Sequence, residues 1–423
     1  MKKILCFSLF LCVLTTIVCT IPVSAATPDT TGVGGAVVVN TETGKEVFFY
    51  NGDLAIPPNA SARLMTVLVA YEQLKDRMDE KATITPDAIR SYENYNSFYI
   101  KEWKSLSDYV WQTVSIRDLF RHALVYSADD AVQMLAYIAF GSEASCVEAM
   151  NKKASELGMS RTEYTDAVNS SSLSSTTASD LAKLCAEIYK NPTLAEMASS
   201  QNAKITVGAS SVTVYNRNLY NSSYYGTGYY TSETDGLFYS SSSGMLAAAR
   251  PDENLTYVCV VVGADGAQSA YNSATSLLDY AMGSFGFVEV LSELEIFADI
   301  PVKLSKQADF VAAVPSGELL SFLPKSVDVE RDITYDVHLN VSEMDAPISL
   351  GETVGYVDVI YEGESLGRVE LVTNASLSKS LTLEFGDFVG RVISYPLTIV
   401  LIVLAFLAGI GYVLYRAYKE EQK

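Results

Sequence analysis

The chain has 423 residues, 49% hydrophobic and 19% charged, a globular composition with length enough for two or three domains with real cores. Fifty acidic against 30 basic residues give a formal net charge of −20, which argues against a nucleic-acid partner because a phosphate backbone would be repelled. Only two histidines, His122 and His338, stand far apart in sequence, so neither a histidine zinc site nor a Ser-His-Asp triad is expected, and no metal or cofactor is implied.

At the N-terminus, Lys2 and Lys3 precede an apolar run from Ile4 to Ile21 and the small-residue stretch Val23-Ser24-Ala25-Ala26. This pattern predicts a secretory signal peptide over residues 1–25, cut after about Ala25. It carries away Cys6, Cys12 and Cys19; Cys146, Cys185 and Cys259 remain, with no disulfide framework or metal spacing, and are expected as buried apolar side chains. Gly35 to Val39 and Glu46 to Tyr50 predict two strands joined by the turn Asn40 to Lys45. Gly32-Val33-Gly34-Gly35 lacks the following helix of a phosphate loop.

Leu64, Val67, Leu68, Tyr71 and Leu74 recur at helical spacing, predicting a largely buried helix from about Ser61 to Asp76. Further helices are predicted from Ser115 to Ile138, Ser142 to Leu157 and Ser179 to Tyr189. Strands follow at Ile205 to Val207, Val212 to Tyr215, Met245 to Ala249 and Tyr257 to Gly263, then a helix from Ala267 to Met282. The order predicts an α+β domain over residues 27–288, an antiparallel sheet with helices on both faces.

From about Glu289 the pattern changes to short alternating strands: Glu295 to Phe297, Phe310 to Val314, Ile333 to Val341, Thr353 to Tyr361 and Ser365 to Val372. They predict a small all-β domain over residues 289–376. Residues 377–394 read as a juxtamembrane linker whose alternation of apolar and charged residues also suits a bilayer surface. Tyr395 to Tyr415 is 21 residues without a charge, enough to cross a bilayer. Arg416, Lys419 and Lys423 follow it and place the tail, residues 416–423, on the cytoplasmic side, with the N-terminal bulk extracytoplasmic.

Several segments resemble the low-molecular-mass penicillin-binding proteins, the D-alanyl-D-alanine carboxypeptidases. They are the opening strands Ala36 to Val47, the helix Leu64 to Ala70, the stretch Met150 to Met159, Asp235-Gly236-Leu237, and Ala346 to Gly351 in the β domain. The order and coverage of these fragments carry the resemblance. It implies a transpeptidase-like fold and a serine acyl-transfer site built on Ser-x-x-Lys, Ser-x-Asn and Lys-Thr-Gly motifs.

At those motif positions the residues have changed. Ala60 and Arg63 stand where the nucleophile and the ionisable lysine are expected. Alanine offers no hydroxyl, and arginine stays protonated and cannot act as a base. Ser61, one residue late, points about 100° away on a helix and reads better as a helix-start residue than as a fallback nucleophile. Ser127 keeps its hydroxyl, but Asp129 replaces an amide donor with an acceptor-only carboxylate. Phe238-Tyr239-Ser240 replaces Lys-Thr-Gly and removes the cation.

No catalytic residue is therefore assigned, and Arg63, Ser127 and Tyr239 are the candidate ligand contacts. Arg63 is expected to pair with Asp129 or Asp130, or else to hold an anionic wall fragment. A lysine from elsewhere, such as Lys101 or Lys104, is not excluded from the cleft. Tyr220, Tyr224, Tyr225, Tyr229 and Tyr230 form a tyrosine-rich loop suited either to sugar or protein binding or to packing on itself. The reading is a membrane-anchored, catalytically inactive homologue that binds a peptidoglycan stem peptide or a cell-envelope protein. Two alternatives stay open: an active serine carboxypeptidase with a displaced nucleophile, and a structural ectodomain that holds a partner through its β domain.

Overall fold

A computed structural model describes residues 27–59, 61–89, 106–168, 175–225, 228–241, 243–252, 255–394 and 396–421. The signal-peptide stretch, Ala60, Lys101 and Lys104 lie outside the described residues. The chain forms two compact units, Met1–Gly286 and Phe287–Lys423.

In the first unit, β1 (Gly35–Asn40) and β2 (Glu46–Tyr50) form the antiparallel hairpin. Its turn is closed by the Asn40 side chain, which accepts from the Thr43 amide at 2.9 Å, and by Gly44 at φ +71°, where a side chain would be strained. Next come α1 (Ala62–Leu74), β3 (Lys81–Thr83) and β4 (Thr113–Ser115). The chain continues through α2 (Ile116–Tyr126), α3 (Asp129–Phe140), α4 (Glu143–Glu156), α5 (Ala178–Lys190) and α6 (Pro192–Ser199). Then follow β5 (Asn202–Val207), β6 (Ser210–Tyr215), β7 (Asp235–Ser240), β8 (Met245–Pro251), β9 (Thr256–Val262) and α7 (Ala267–Ser284).

Side chains start most of these helices. Ser115, Ser142 and Thr177 accept from the backbone amides three residues on, and Asn191 caps α6 with Pro192 in the first turn. The five-stranded sheet has the order β2-β1-β9-β8-β7 and is antiparallel throughout. Helix α5 packs on β1 and β9, and α7 packs on β8, β9 and the hairpin. A second sheet has the order β3-β4-β5-β6. Helix α1 is buried on nearly every side by α2, α3, α4 and α5, so its apolar residues do not form a single stripe.

The helix expected from Ser115 to Ile138 is two helices. Ser127 takes a left-handed conformation, φ 60° and ψ 42°, which ends α2 and redirects the chain into α3. Apolar residues continue on both sides of the break, so periodicity alone does not show it.

The second unit contains β10 (Phe285–Leu291), which starts at its border, then β11 (Ala298–Lys303), β12 (Phe310–Pro315) and β13 (Leu319–Pro324). A single helical turn at Val329–Asp332 leads into β14 (Ile333–Leu339). β15 (Met344–Asp345), β16 (Thr353–Tyr361) and β17 (Glu364–Thr373) complete the strands. Six of them form a sheet in the order β14-β16-β17-β12-β11-β15, and β10 pairs with β13. Glu362 and Gly363, both at positive φ, make the two-residue turn between β16 and β17. Val354, Val357, Val359 and Leu371 are fully buried beneath the sheet.

Glu295 to Phe297, expected as a strand, is irregular; Leu294 and Ile296 are exposed there and pairing begins at Ala298. The linker expected over residues 377–394 is largely helix, α8 (Leu381–Ser394), followed by α9 (Pro396–Glu421). The stretch Val400–Glu420 of α9 is long and apolar enough to cross a membrane.

Candidate functional site

Three pieces of chain carry the expected motif positions: the start of α1, the α2–α3 break, and the edge strand β7; Arg63 joins the first two. The first hydroxyl of α1 is committed. Ser61 is fully buried and its Oγ donates to the Pro58 carbonyl at 2.6 Å. Arg63, two residues on, crosses to the α2–α3 break. Its Nη1 donates to the Ser127 carbonyl at 3.2 Å, and its Nε lies 2.5 Å from Asp129 Oδ1.

The Arg63–Asp129 contact is short but not aligned as a hydrogen bond, so it is a charge contact in a mostly enclosed place. Both side chains are about four-fifths covered, at 18% and 20% exposure. Burial pushes the Asp129 carboxyl up to about 6; Arg63 opposes that shift, Asp130 and Asp166 add to it, and Arg217 opposes it. Burial likewise lowers the affinity of Arg63 for its proton, against the pull of Asp129. Each partner is thus drawn toward neutrality by burial, which outweighs their attraction. Asp130 is a structural carboxylate: it accepts from the Leu106 and Ala131 amides, both at 2.8 Å.

Strand β7 replaces the expected cation with apolar packing. Phe238 is 5% exposed and belongs to the main apolar core. Ser240 is buried. Tyr239 is half-buried, its ring 5.3 Å from that of Tyr271 on α7. A bulge between Gly236 and Phe238 shifts the register against β8.

Residues that the motif reading does not reveal complete the site. Asn221 brackets Gly236, donating to its carbonyl and accepting from its amide, both at 2.6 Å. Asn218 donates to the Phe238 carbonyl at 3.2 Å and lies so close to Gly236 that a Cβ there would come within 2.1 Å of its Cγ. Arg217 sits 5.4 Å from the centre of the Tyr126 ring, and its amide donates to the Val125 carbonyl. The run Asn216-Arg217-Asn218 signals a turn but says nothing of which strand it will meet.

The three remaining cysteines are buried, and burial pushes the thiols of Cys146 and Cys185 up to about 12. Among the described residues no cluster of His, Cys, Asp and Glu has the arrangement of a metal site.

The fold is that of a penicillin-binding protein. The chain superposes on penicillin binding protein 6B from Escherichia coli with a TM-score of 0.61 and 22% identity, covering 83% of this chain and 98% of that one. Penicillin binding protein 5 from Haemophilus influenzae gives a TM-score of 0.57 at 20% identity, covering 84% and 99%. A family model described as D-alanyl-D-alanine carboxypeptidase matches residues 22–266, and the chain belongs to that family. It is similar to the D-alanyl-D-alanine carboxypeptidase DacF of Bacillus subtilis, 23% identical over 358 residues, 83% of this chain and 87% of the relative. It is also similar to the carboxypeptidase DacD of Salmonella typhimurium, 25% identical over 379 residues, 84% and 89% of the two chains.

Proposed function

We propose that this carboxypeptidase-family chain does not form an acyl ester and instead binds a peptidoglycan stem peptide through Arg63, Ser127 and Tyr239. The Arg63–Asp129 contact of 2.5 Å carries the reading. On this reading a guanidinium, too weak an acid to serve as a base, and a carboxyl group stand where the family's reaction needs a proton acceptor and an amide donor. The buried Ser61 hydroxyl, bonded to Pro58, counts against a displaced nucleophile. The apolar placement of Phe238 supports the loss of the third motif's charge.

In the same proposal, α9 anchors the protein in the cell membrane with the two folded units outside and the short tail inside. The candidate span Val400–Glu420 and the charge pattern around it support this. Helix α8 turns Leu381, Phe385 and Phe388 outward at i, i+4 and i+7, which suits a surface lying in the headgroup layer.

Isothermal titration of a peptide ending in D-alanyl-D-alanine tests the ligand role. Arg63→Ala is expected to weaken binding by about tenfold or more, the worth of one charge-assisted contact of about 1.5 kcal/mol. Equal affinity of variant and parent discards Arg63 as a ligand contact.

A further inference from the structure

The six-stranded sheet of the second unit has two unlike edges. One edge, β15, is only two residues long, Met344–Asp345. The other, β14, runs for seven residues, Ile333–Leu339, in unbroken register with β16. It carries no proline, lysine or bulge, the devices that keep an exposed edge from pairing with another chain. Asn340, just past the strand, donates its amide to the Val354 carbonyl at 2.8 Å. Bonding alternates along an antiparallel ladder, so the even-numbered residues bond to β16, while Tyr335, Val337 and Leu339 turn their amides and carbonyls outward. Among the described residues, no other backbone group bonds to these three. Val337 and Leu339 also leave apolar side chains exposed at this rim, at 36% and 40%.

The charges along β14 select its occupant. Asp336 lies directly opposite Asp358 of β16, an unfavourable like-charge pair. Asp358 takes up the nearby cation: Arg368 Nε and Nη2 donate to its two oxygens at 2.7 and 2.8 Å. Asp336 Oδ2 lies 3.2 Å from Nε2 of His338 on its own strand, and both side chains stay exposed toward the free edge. A second β14, antiparallel and centred on Val337, sets Val337 against its own counterpart and Tyr335 against the partner's Leu339. The outward backbone groups are then joined by about six hydrogen bonds. The same register sets Asp336 against the partner's His338, twice over, and an imidazole donates to a carboxylate in either of its charge states. Centring one residue earlier opposes Asp336 to the partner's Asp336; centring one residue later pairs Tyr335 with a position beyond the end of the strand. The strand is thus complementary to itself in one register.

We infer that β14 is a self-pairing edge: two copies of this chain join antiparallel about Val337, and the sheet of the second unit continues across the two-fold axis. This interface does not depend on what Arg63 binds. Sedimentation velocity of the full chain in detergent, up to about 100 µM, tests it over the range of weak specific association. A dimer is expected in the parent. Val337→Pro removes an amide that only the partner strand would use and leaves the bonds to β16 in place. It is expected to be monomeric, with a thermal midpoint close to the parent's. His338→Asp sets carboxylate against carboxylate across the two-fold axis and is expected to weaken the dimer by about tenfold or more. Adding Asp336→His exchanges the two side chains and is expected to return the affinity to within about threefold of the parent. A parent that stays monomeric over the whole range overturns the inference. So does a Val337→Pro chain that dimerises as well as the parent, or a double variant no stronger than His338→Asp alone. If Val337→Pro lowers the thermal midpoint, the two charge variants, which leave the backbone untouched, decide between these results.

Discussion

Asp129 is held between two opposing forces. Burial favours its neutral form, while Arg63 at 2.5 Å favours the carboxylate, and burial prevails enough to push its titration up to about 6. An unfolded chain releases that proton near the ordinary carboxylate value of about 3.9. Between about pH 4 and pH 6 the folded state therefore keeps a proton that the unfolded state has lost, and stability falls as pH rises through that window, by at most about 3 kcal/mol. The test is the thermal midpoint of the parent and of Asp129→Asn across pH 4.5 to 7. The parent's midpoint should drop relative to the variant's over that range; parallel curves would show that Asp129 titrates normally.

At the same scale, the proposed reading takes Ala60 at the nucleophile position as one of several changed motif residues. Ala60→Ser restores a hydroxyl but leaves Arg63 in place of a base, Asp129 in place of an amide, and Phe238 in place of a cation. Groups that act as a unit are strongly non-additive. The single variant is expected to show no labelling by a fluorescent penicillin above the parent; strong labelling would mean that the other two motif positions still work.

At the scale of elements, the free edge of β7 is filled by side chains of the Asn216–Ser222 turn. Asn221 is buried and satisfies both backbone groups of Gly236. Asn221→Ala leaves a buried amide and carbonyl without those partners and should destabilise the first unit by about 2–3 kcal/mol in urea denaturation. A change under about 0.5 kcal/mol, the usual size for a neutral surface substitution, would mean that water replaces the side chain without cost. This dependence was not legible in the sequence, because an asparagine in a turn does not name the strand that it will meet.

Much else at this scale was legible. The hairpin β1–β2, the helices α4, α5 and α7, and β16–β17 follow from alternation, helical spacing and turn residues, all of them local signals. The break at Ser127 and the irregular Glu295 to Phe297 stretch were not, since a left-handed residue and an unpaired strand are decided by tertiary context. In the site, the contact of Arg63 with Asp129 was among the expected pairings because both side chains sit at neighbouring motif positions. Tyr271 and Arg217 were invisible as site residues, because sequence distance hides what α7 and the turn before β7 bring together.

At the scale of the molecule, a carboxypeptidase-family unit, a β-rich unit and an apolar C-terminal helix follow one another along the chain. If α9 is the anchor, a chain ending before Leu381 should move from the carbonate-resistant membrane fraction to the soluble fraction. Retention of that shortened chain in the membrane would place the anchor elsewhere.

The most direct test of the central claim is intact-mass spectrometry of the full chain after incubation with a β-lactam. An unchanged mass is predicted on the proposed reading, because the Ser61 hydroxyl is buried and bonded to the Pro58 carbonyl and an arginine, Arg63, stands where the reaction needs an ionisable amine. A mass raised by one β-lactam, and restored by Ser61→Ala, would contradict the account and make this chain a working acyl-transfer enzyme.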